Sequence, residues 1–537
     1  ELFQPDCQAV LEMMMQIQQS GLEDDDPQVS YLLAAWARFC KVLGKEFIPY
    51  MPYVIQPLLQ TASQAVDLEV RDADDPDAGA REQEEGWDSM LIANKLISIK
   101  TSSLEDKATA CNMITCYVAE LKGAFFPWVA ETSKVMVPLC TFLYHDEVRT
   151  AAIQCMADLV LICQEHAAES NSGDTATGEM LAYTLESLIK ALNTEPETEI
   201  IVAILEGIAG CINNAKKPLI PQPTIVAILE AVFKAVQASD DRRTERAAAK
   251  TSSEDHDEED DEREAEENDQ EDDLFLQAAE CICAFVKIFG SQFMPYWHSM
   301  AAQFFARLQN PRSTGDTHGV ICILDDMMEH GGPEMEKYLS AFVQIFMQYA
   351  KIPSADLRQA AVYGLGVCAQ VGGEAFGSQF ANGSLEVLKE VVEAAGSREG
   401  AMVTATENAI SSVGKIANFQ GTHVDVTQVW PYWLSHLPIL ADEVEGRLVH
   451  AMLCDQVEAQ NPSIMGNNNG NVPKLVSIFG QVLGTSMIDE ATTGRISRIL
   501  LMLQSAVSPD VLRSGWVTLT AEQRDRIQAA VSSVASP

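Results

Sequence analysis

Basic residues are scarce: lysine and arginine together number 36 in 537 residues, against 78 aspartates and glutamates, for a formal net charge of −42. Phosphate backbones and anionic membranes would be repelled by such a chain, so a basic partner is the natural complement and neither nucleic acid nor membrane is expected as one. Extended apolar runs are also missing. The longest, 200–212, is interrupted by Glu206 and falls short of the ~20 residues needed to cross a bilayer. Strand-like alternation is nearly absent, which argues against sheet folds.

Chemistry-bearing patterns are equally sparse. The nine histidines include no His-Glu-x-x-His pair, and Cys281 and Cys283, two residues apart, face different sides of a helix rather than one metal. The thirteen cysteines, such as Cys40, Cys155 and Cys368, sit singly in apolar patterns and read as reduced thiols of a cytosolic or nuclear protein. Gly364, Gly366, Gly372 and Gly373 follow a helical pattern rather than a strand, so close packing and helix termination explain them better than a phosphate-cradling loop. No catalytic residue, cofactor or metal is expected, and the chain does not read as an enzyme. It starts at Glu1 without an initiator methionine or a cationic leader, and a piece of a longer protein is expected.

What is abundant is helical periodicity. In 146–163, Val148, Ala152, Ile153, Cys155, Met156, Leu159 and Val160 form one apolar stripe. An acidic turn followed by an Ala-rich helix recurs at Asp106, Asp146, Asp316, Asp356, Glu399 and Asp442, with steps of 40 in the first block and 40, 43 and 43 in the second. That is the period of HEAT or armadillo helix pairs, about 40–47 residues. Each acidic residue is expected to cap the following helix, with Arg149 or Arg358 bridging back to it. The partner helices open on aromatic and proline clusters: Phe47, Pro49 and Tyr50; Phe126, Pro127 and Trp128; Phe293, Pro295 and Tyr296; Trp430, Pro431 and Tyr432. Proline fits a first helical turn, and the aromatics are placed to staple neighbouring pairs. The spacing predicts an all-α fold, a right-handed α-solenoid of tandem HEAT repeats with roughly eleven helix pairs and two acidic insertions.

The expected organisation is a first block over 1–238 with an acidic loop at 67–98, an acidic, disordered insertion at 239–273, a second block over 274–520 and a capping helix over 521–537. Within 254–273 there are 15 acidic residues and one basic residue, Arg263, a composition that cannot bury apolar surface. Its densest part is Glu254, Asp255, Asp257, Glu258, Glu259, Asp260, Asp261 and Glu262, and clamping basic cargo, competing with it, or merely conferring solubility all stay open as roles. On the repeats themselves, Asp325, Asp326 and Glu329 share one helix, and Asp158, Glu206, Glu407 and Asp455 occupy comparable second helices. Such helices line the concave face of a superhelix, where a ladder of carboxylates would hold a Lys- or Arg-rich segment.

Five strings carry a family likeness: DDPQVSYLLAAWARFCKVLGKEF (Asp25 to Phe47), SLEDKATACNMITCYVAELK (Ser103 to Lys122), DLRQAAVYGLGVCAQVGG (Asp356 to Gly373), ATENAISSVGKI (Ala405 to Ile416) and WPYWLSHLPI (Trp430 to Ile439). In these the chain resembles the β-karyopherins, the importin-β family, and specifically the C-terminal half of such a receptor. The likeness weakens at 67–98, around 169–179 and near 461–486. The resemblance implies a nuclear transport receptor fragment that shuttles between cytoplasm and nucleus and helps enclose basic cargo such as ribosomal proteins or histones. It also implies a main Ran-GTP site in N-terminal repeats outside this chain, secondary Ran contacts here, and phenylalanine-glycine nucleoporins as partners. The alternative is a HEAT scaffold subunit of a constitutive multiprotein complex, which shares the period and the lack of catalytic groups.

Overall fold

A helix with one apolar stripe must be covered, and here the second helix of each pair packs against its counterpart in the next repeat of the same unit. The computed structural model describes residues 4–19, 28–72, 86–92, 95–252, 258–506 and 508–535. The chain divides into two units, Glu1–Phe289 and Gly290–Pro537.

Among the described residues, the first unit holds five helix pairs. They are α1 (Gln4–Gln19) with α2 (Gln28–Leu43), α3 (Met51–Ser63) with α4 (Thr101–Leu121), α5 (Val129–Leu139) with α6 (Asp146–Ser170), α7 (Thr175–Thr194) with α8 (Thr198–Ala215), and α9 (Gln222–Ser252) with α10 (Glu258–Phe289). The second unit holds six. They are α11 (Met294–Gln309) with α12 (Thr314–His330), α13 (Leu339–Tyr349) with α14 (Ala355–Val371), α16 (Ala381–Glu393) with α17 (Met402–Phe419) after the short α15 (Gly373–Gln379), α18 (Val426–Ser435) with α19 (Glu443–Glu458), α21 (Val472–Val482) with α22 (Glu490–Ala506) after the short α20 (Pro462–Met465), and α23 (Pro509–Trp516) with α24 (Ala521–Ala535). The second helices stack side by side, α2–α4–α6–α8–α10 in one unit and α12–α14–α17–α19–α22–α24 in the other. This is the α-solenoid that the period predicts.

The aromatic clusters act as staples. Residues 44–50 and 122–128 wind as 3₁₀ turns into α3 and α5. Phe47 stacks on Tyr117 of α4 at 5.8 Å and meets Trp36 of α2 edge-on at 5.9 Å, tying three helices together. Gly366 has a packing role: a Cβ there would lie 2.4 Å from Ser412 Oγ, so only glycine lets α14 and α17 approach this closely. The helix α8, long and apolar enough by composition to cross a membrane, buries Ile200, Ile204, Leu205, Ile208 and Ile212 in this core. None of the thirteen cysteines, all among the described residues, is in a disulfide, and eleven are buried. Burial pushes the Cys111 thiol up to about 12, far from the reactive thiolate.

Several expectations are corrected. Of the expected caps, Asp442 accepts from the N–H of Glu445, three residues into α19. At α12 the cap is Ser313, and Asp316 instead accepts from Arg307 at 2.8 Å and from the N–H of Arg312. Asp106 lies inside α4. Arg149 does reach Asp146, but it also holds Glu195 in the next repeat through two 2.8 Å bonds, and Arg358 turns to the Met402 sulfur.

The acidic loop at 67–98 contains a sheet: β1 (Leu68–Asp72), β2 (Trp87–Ile92) and β3 (Lys95–Lys100), antiparallel in the order β1-β3-β2. The short alternation K-L-I-S-I-K carries it, with Ile97 and Ile99 buried beside Leu104 and Phe142. The insertion at 239–273 is likewise not disordered where it is described: 239–252 extend α9 and 258–273 begin α10. No division falls at 238 or 273, because α10 runs on from acidic sequence into core residues such as Leu274, Ala278 and Phe285.

Candidate functional site

The solvent faces of the second helices are polar, and hydrogen bonds between neighbouring helices hold them in register. In the first unit, Asn112 of α4 donates to Glu147 of α6 at 2.6 Å, Asn214 of α8 to the Ala157 carbonyl of α6 at 2.9 Å, and Gln270 of α10 to Glu199 of α8 at 2.8 Å. Glu206 is exposed on this surface. Asp158 is half-buried and accepts from Gln154 at 3.1 Å, and burial raises its carboxyl above the usual range.

In the second unit the five carboxylates of the expected ladder separate into different roles. Asp326 and Glu329 are partly exposed on α12, and Glu329 accepts from the Tyr363 hydroxyl of α14 at 2.8 Å. Asp325, one residue away but 100° around the helix, is only 5% exposed, and its Oδ1 has no partner. That oxygen lies 2.2 Å from where a Cβ on Gly364 would sit. Burial, then the charges of Asp326 and Glu329, push its carboxyl well above the carboxylate range, so Asp325 cannot contact a partner and is a core residue under strain of desolvation. Glu407 is also withdrawn: 3% exposed, it accepts from the N–H groups of Leu440, Ala441 and Asp442 at 2.7, 2.8 and 2.8 Å. It secures the entry to α19 rather than offering a binding carboxylate. Asp455 is exposed and bonded at 2.5 Å to Arg495, which also holds Glu458 at 2.7 Å.

Beneath this surface lies a network that sequence reading does not find. Lys415 of α17 is 5% exposed, lies 3.1 Å from Glu445 of α19 and sits 4.8 Å above the Tyr363 ring. Ser411 donates to the same Glu445. Among the described residues, one group has side chains disposed to share a metal ion, Asp326, Glu329 and His330 on α12. Its i, i+3, i+4 spacing is legible in the sequence as the signal for such a group.

The α9–α10 hairpin shows where the acidic insertion spends its charge. Arg242 grips Glu271 through two 2.7 Å bonds, Arg243 pairs with Asp272, Arg246 with Glu267 and Glu271, and Lys250 with Glu264 at 2.8 Å. Burial pushes the Glu271 carboxyl up, but bonds from Arg242 and Ser239 and the charges of Arg242 and Arg246 outweigh it and hold it below the usual range. Of the residues singled out in the insertion, Glu254, Asp255 and Asp257 lie outside the described residues. Glu258, Glu259, Asp260, Asp261 and Glu262 open α10, with Glu259 and Glu262 exposed.

The buried carboxyl makes a prediction. Asp325→Asn should stabilise the chain by roughly 1–3 kcal/mol at neutral pH, because it removes a desolvated, unpaired acid. The folded-state pKa is raised, so the penalty on the wild type builds up as pH rises from the ordinary carboxylate range toward that raised pKa and is absent below the ordinary range. Urea denaturation at two pH values checks this: the advantage of asparagine should be larger at neutral pH and fade as pH falls toward the ordinary carboxylate range.

Residues 200–310 match the family model "Importin repeat 6". Importin subunit beta-3 of Saccharomyces cerevisiae is 25% identical over 472 residues, covering 87% of this chain and 42% of that protein. A probable importin-5 homolog of Dictyostelium discoideum is 25% identical over 477 residues with the same coverage. Among solved structures, Kap121p superposes with a TM-score of 0.78 at 22% identity over 98% of this chain and 46% of its own. Kap121p bound to RanGTP gives 0.77 at 22% identity over 99% and 47%, and Kap121p bound to Nup53p gives 0.75 at 21% over 98% and 46%. The chain thus spans less than half the length of the relatives it matches. In its solenoid of HEAT pairs, its importin-repeat match across α8 to α11 and its curated relatives along 87% of its length, the chain is similar to importins of the importin-β family.

Proposed function

We propose that the chain is part of a nuclear transport receptor, shuttling between cytoplasm and nucleus, that holds basic segments of cargo proteins against its second helices. The observation that carries this reading is the recurrence of accessible carboxylates, Asp158 and Glu206 in one unit and Asp326 and Glu329 in the other, on surfaces already fixed by helix-to-helix bonds. Carboxylates held in place lose little side-chain entropy on binding, so each can form a charge-assisted hydrogen bond to lysine or arginine at low ordering cost. The net charge of −42 favours encounter with any basic segment.

Ran-GTP regulation follows from the same geometry. A solenoid repeat touches only its neighbours, so its curvature is soft, and a GTPase that prefers one curvature shifts the population away from the form that fits cargo. The RanGTP and Nup53p complexes of Kap121p support Ran and a nucleoporin as partners of the longer receptor to which this chain would belong. Ribosomal proteins and histones have the basic chemistry the carboxylates require.

Fluorescence anisotropy of a labelled Lys-rich import peptide tests the reading. Binding should weaken about tenfold between 50 and 150 mM salt, and Asp326→Lys with Glu329→Lys should weaken it by a further factor of about ten. Equal affinity in parent and double variant removes α12 from the site; no binding at either salt defeats the reading for this chain.

A further inference from the structure

From 318 to 330, helix α12 keeps a single stripe out of the core. Its partly exposed residues are His318, Cys322, Asp326, Glu329 and His330, all on one face, and every other residue in that span is buried. The stripe therefore holds one of the two cysteines that are not buried. The other is Cys116, whose thiol is pushed up by its partial burial and by the charge of Glu120.

Cys322 has a different neighbour. Its Sγ lies 3.6 Å from Nε2 of His318, one turn back on the same face and within hydrogen-bonding reach of sulfur. Burial holds that imidazole below its ordinary range, so the ring is neutral at neutral pH, and with its proton on Nδ1 it accepts from the thiol through Nε2. The charge of Asp356, in the first turn of α14, acts in the opposite sense and favours the imidazolium once it forms. A partly exposed thiol beside a base, with a carboxylate supporting the base, is the arrangement that activates a sulfur nucleophile.

We propose that Cys322 is a reactive thiol, activated by His318, that exchanges with small-molecule disulfides, and that the adduct masks the neighbouring carboxylates of α12. In the exchange the thiol proton passes to Nε2 of His318 as Sγ attacks one sulfur of the reagent. A new S–S bond forms, the reagent's own S–S bond breaks, and the departing thiolate takes up the proton. Cys322 is oxidised to the mixed disulfide and half of the reagent is reduced to a thiol. Asp326 stands about 6 Å further along the helix axis, and a tripeptide adduct spans about 10 Å when extended, enough to lie over Asp326 toward Glu329. The masking rests on the proposed function, whereas the reactivity does not.

The test treats the full native chain with glutathione disulfide, quenches with acid at intervals, and maps the mixed disulfides by mass spectrometry. Cys322 is expected to react about tenfold faster than Cys116, and His318→Gln should slow it about fivefold to tenfold while leaving the Cys116 rate unchanged. Equal rates at Cys322 and Cys116 in the parent, or a His318→Gln chain that reacts at Cys322 as fast as the parent, overturns the site. The thiolated chain should then bind the labelled Lys-rich peptide about threefold to tenfold more weakly than the reduced chain, and Cys322→Ser treated alike should bind as before. Equal affinity before and after thiolation overturns the masking. A chain that binds no peptide in either state defeats the proposed function and the masking with it, and the rates at Cys322 still decide the thiol.

Discussion

Arg149→Ala should cost the first unit about 3–5 kcal/mol, the usual effect of removing one partner from a buried ion pair. Arg149 and Glu195 side chains are each only 3% exposed, and both Glu195 oxygens accept from the same guanidinium nitrogen at 2.8 Å. Arginine lies in the first turn of α6 and glutamate in the turn between α7 and α8, so the pair joins two successive repeats rather than closing one turn. Alanine leaves a carboxylate buried without its cation. Replacing both residues, Arg149→Met with Glu195→Gln, should recover most of the loss, because no unpaired charge then remains. Urea denaturation followed by amide exchange in α6 and α8 checks this unit by unit, since a chain of two units need not unfold in one step. A double variant no more stable than the single would show that the charge pair itself, and not the orphaned carboxylate, sets the cost.

Glu407→Ala should be of similar size, about 3 kcal/mol or more. Three backbone N–H groups leading into α19 would lose their charged acceptor, and a hydrogen bond to a charged group contributes about 1.5–3 kcal/mol. Asp442, which caps the same helix and accepts from Asn408 of α17, would lose the bond to its own N–H and with it part of its alignment. Exchange should therefore quicken first in α19 and at its contact with α17. Glu407→Gln keeps one acceptor oxygen and should lose clearly less. Equal effects of the two substitutions would mean that side-chain packing, rather than acceptance of these N–H groups, is what Glu407 supplies.

Glu407 also shows why the repeats were legible and the site less so. Its position on a second helix follows from the 40-residue period, but burial depends on the loop 437–442 folding over it, which helical periodicity does not encode. Asp325 and Asp326 make the same point within one turn: both read as members of an acidic helix, yet a 100° rotation puts Asp325 with Ile321, Leu324 and Met328 in the core and leaves Asp326 toward solvent. The hairpin was missed for a different reason. Counting charge over 254–273 omits Arg242, Arg243, Arg246 and Lys250, which precede the acidic run and become its partners once two helices lie side by side. The aromatic staples were read from local sequence because proline and aromatic residues act within a turn.

Carboxyl footprinting tests the central claim most directly. Carbodiimide-mediated labelling of aspartate and glutamate, read by mass spectrometry with and without a Lys-rich peptide, reports which carboxylates the peptide covers. The account predicts reduced labelling of Asp158, Glu206, Asp326 and Glu329 on second helices, and unchanged labelling of Glu390 and Glu393 on the first helix α16. Protection confined to α16 or to Glu259 and Glu262 of the hairpin, with the second-helix carboxylates labelled as before, would contradict it.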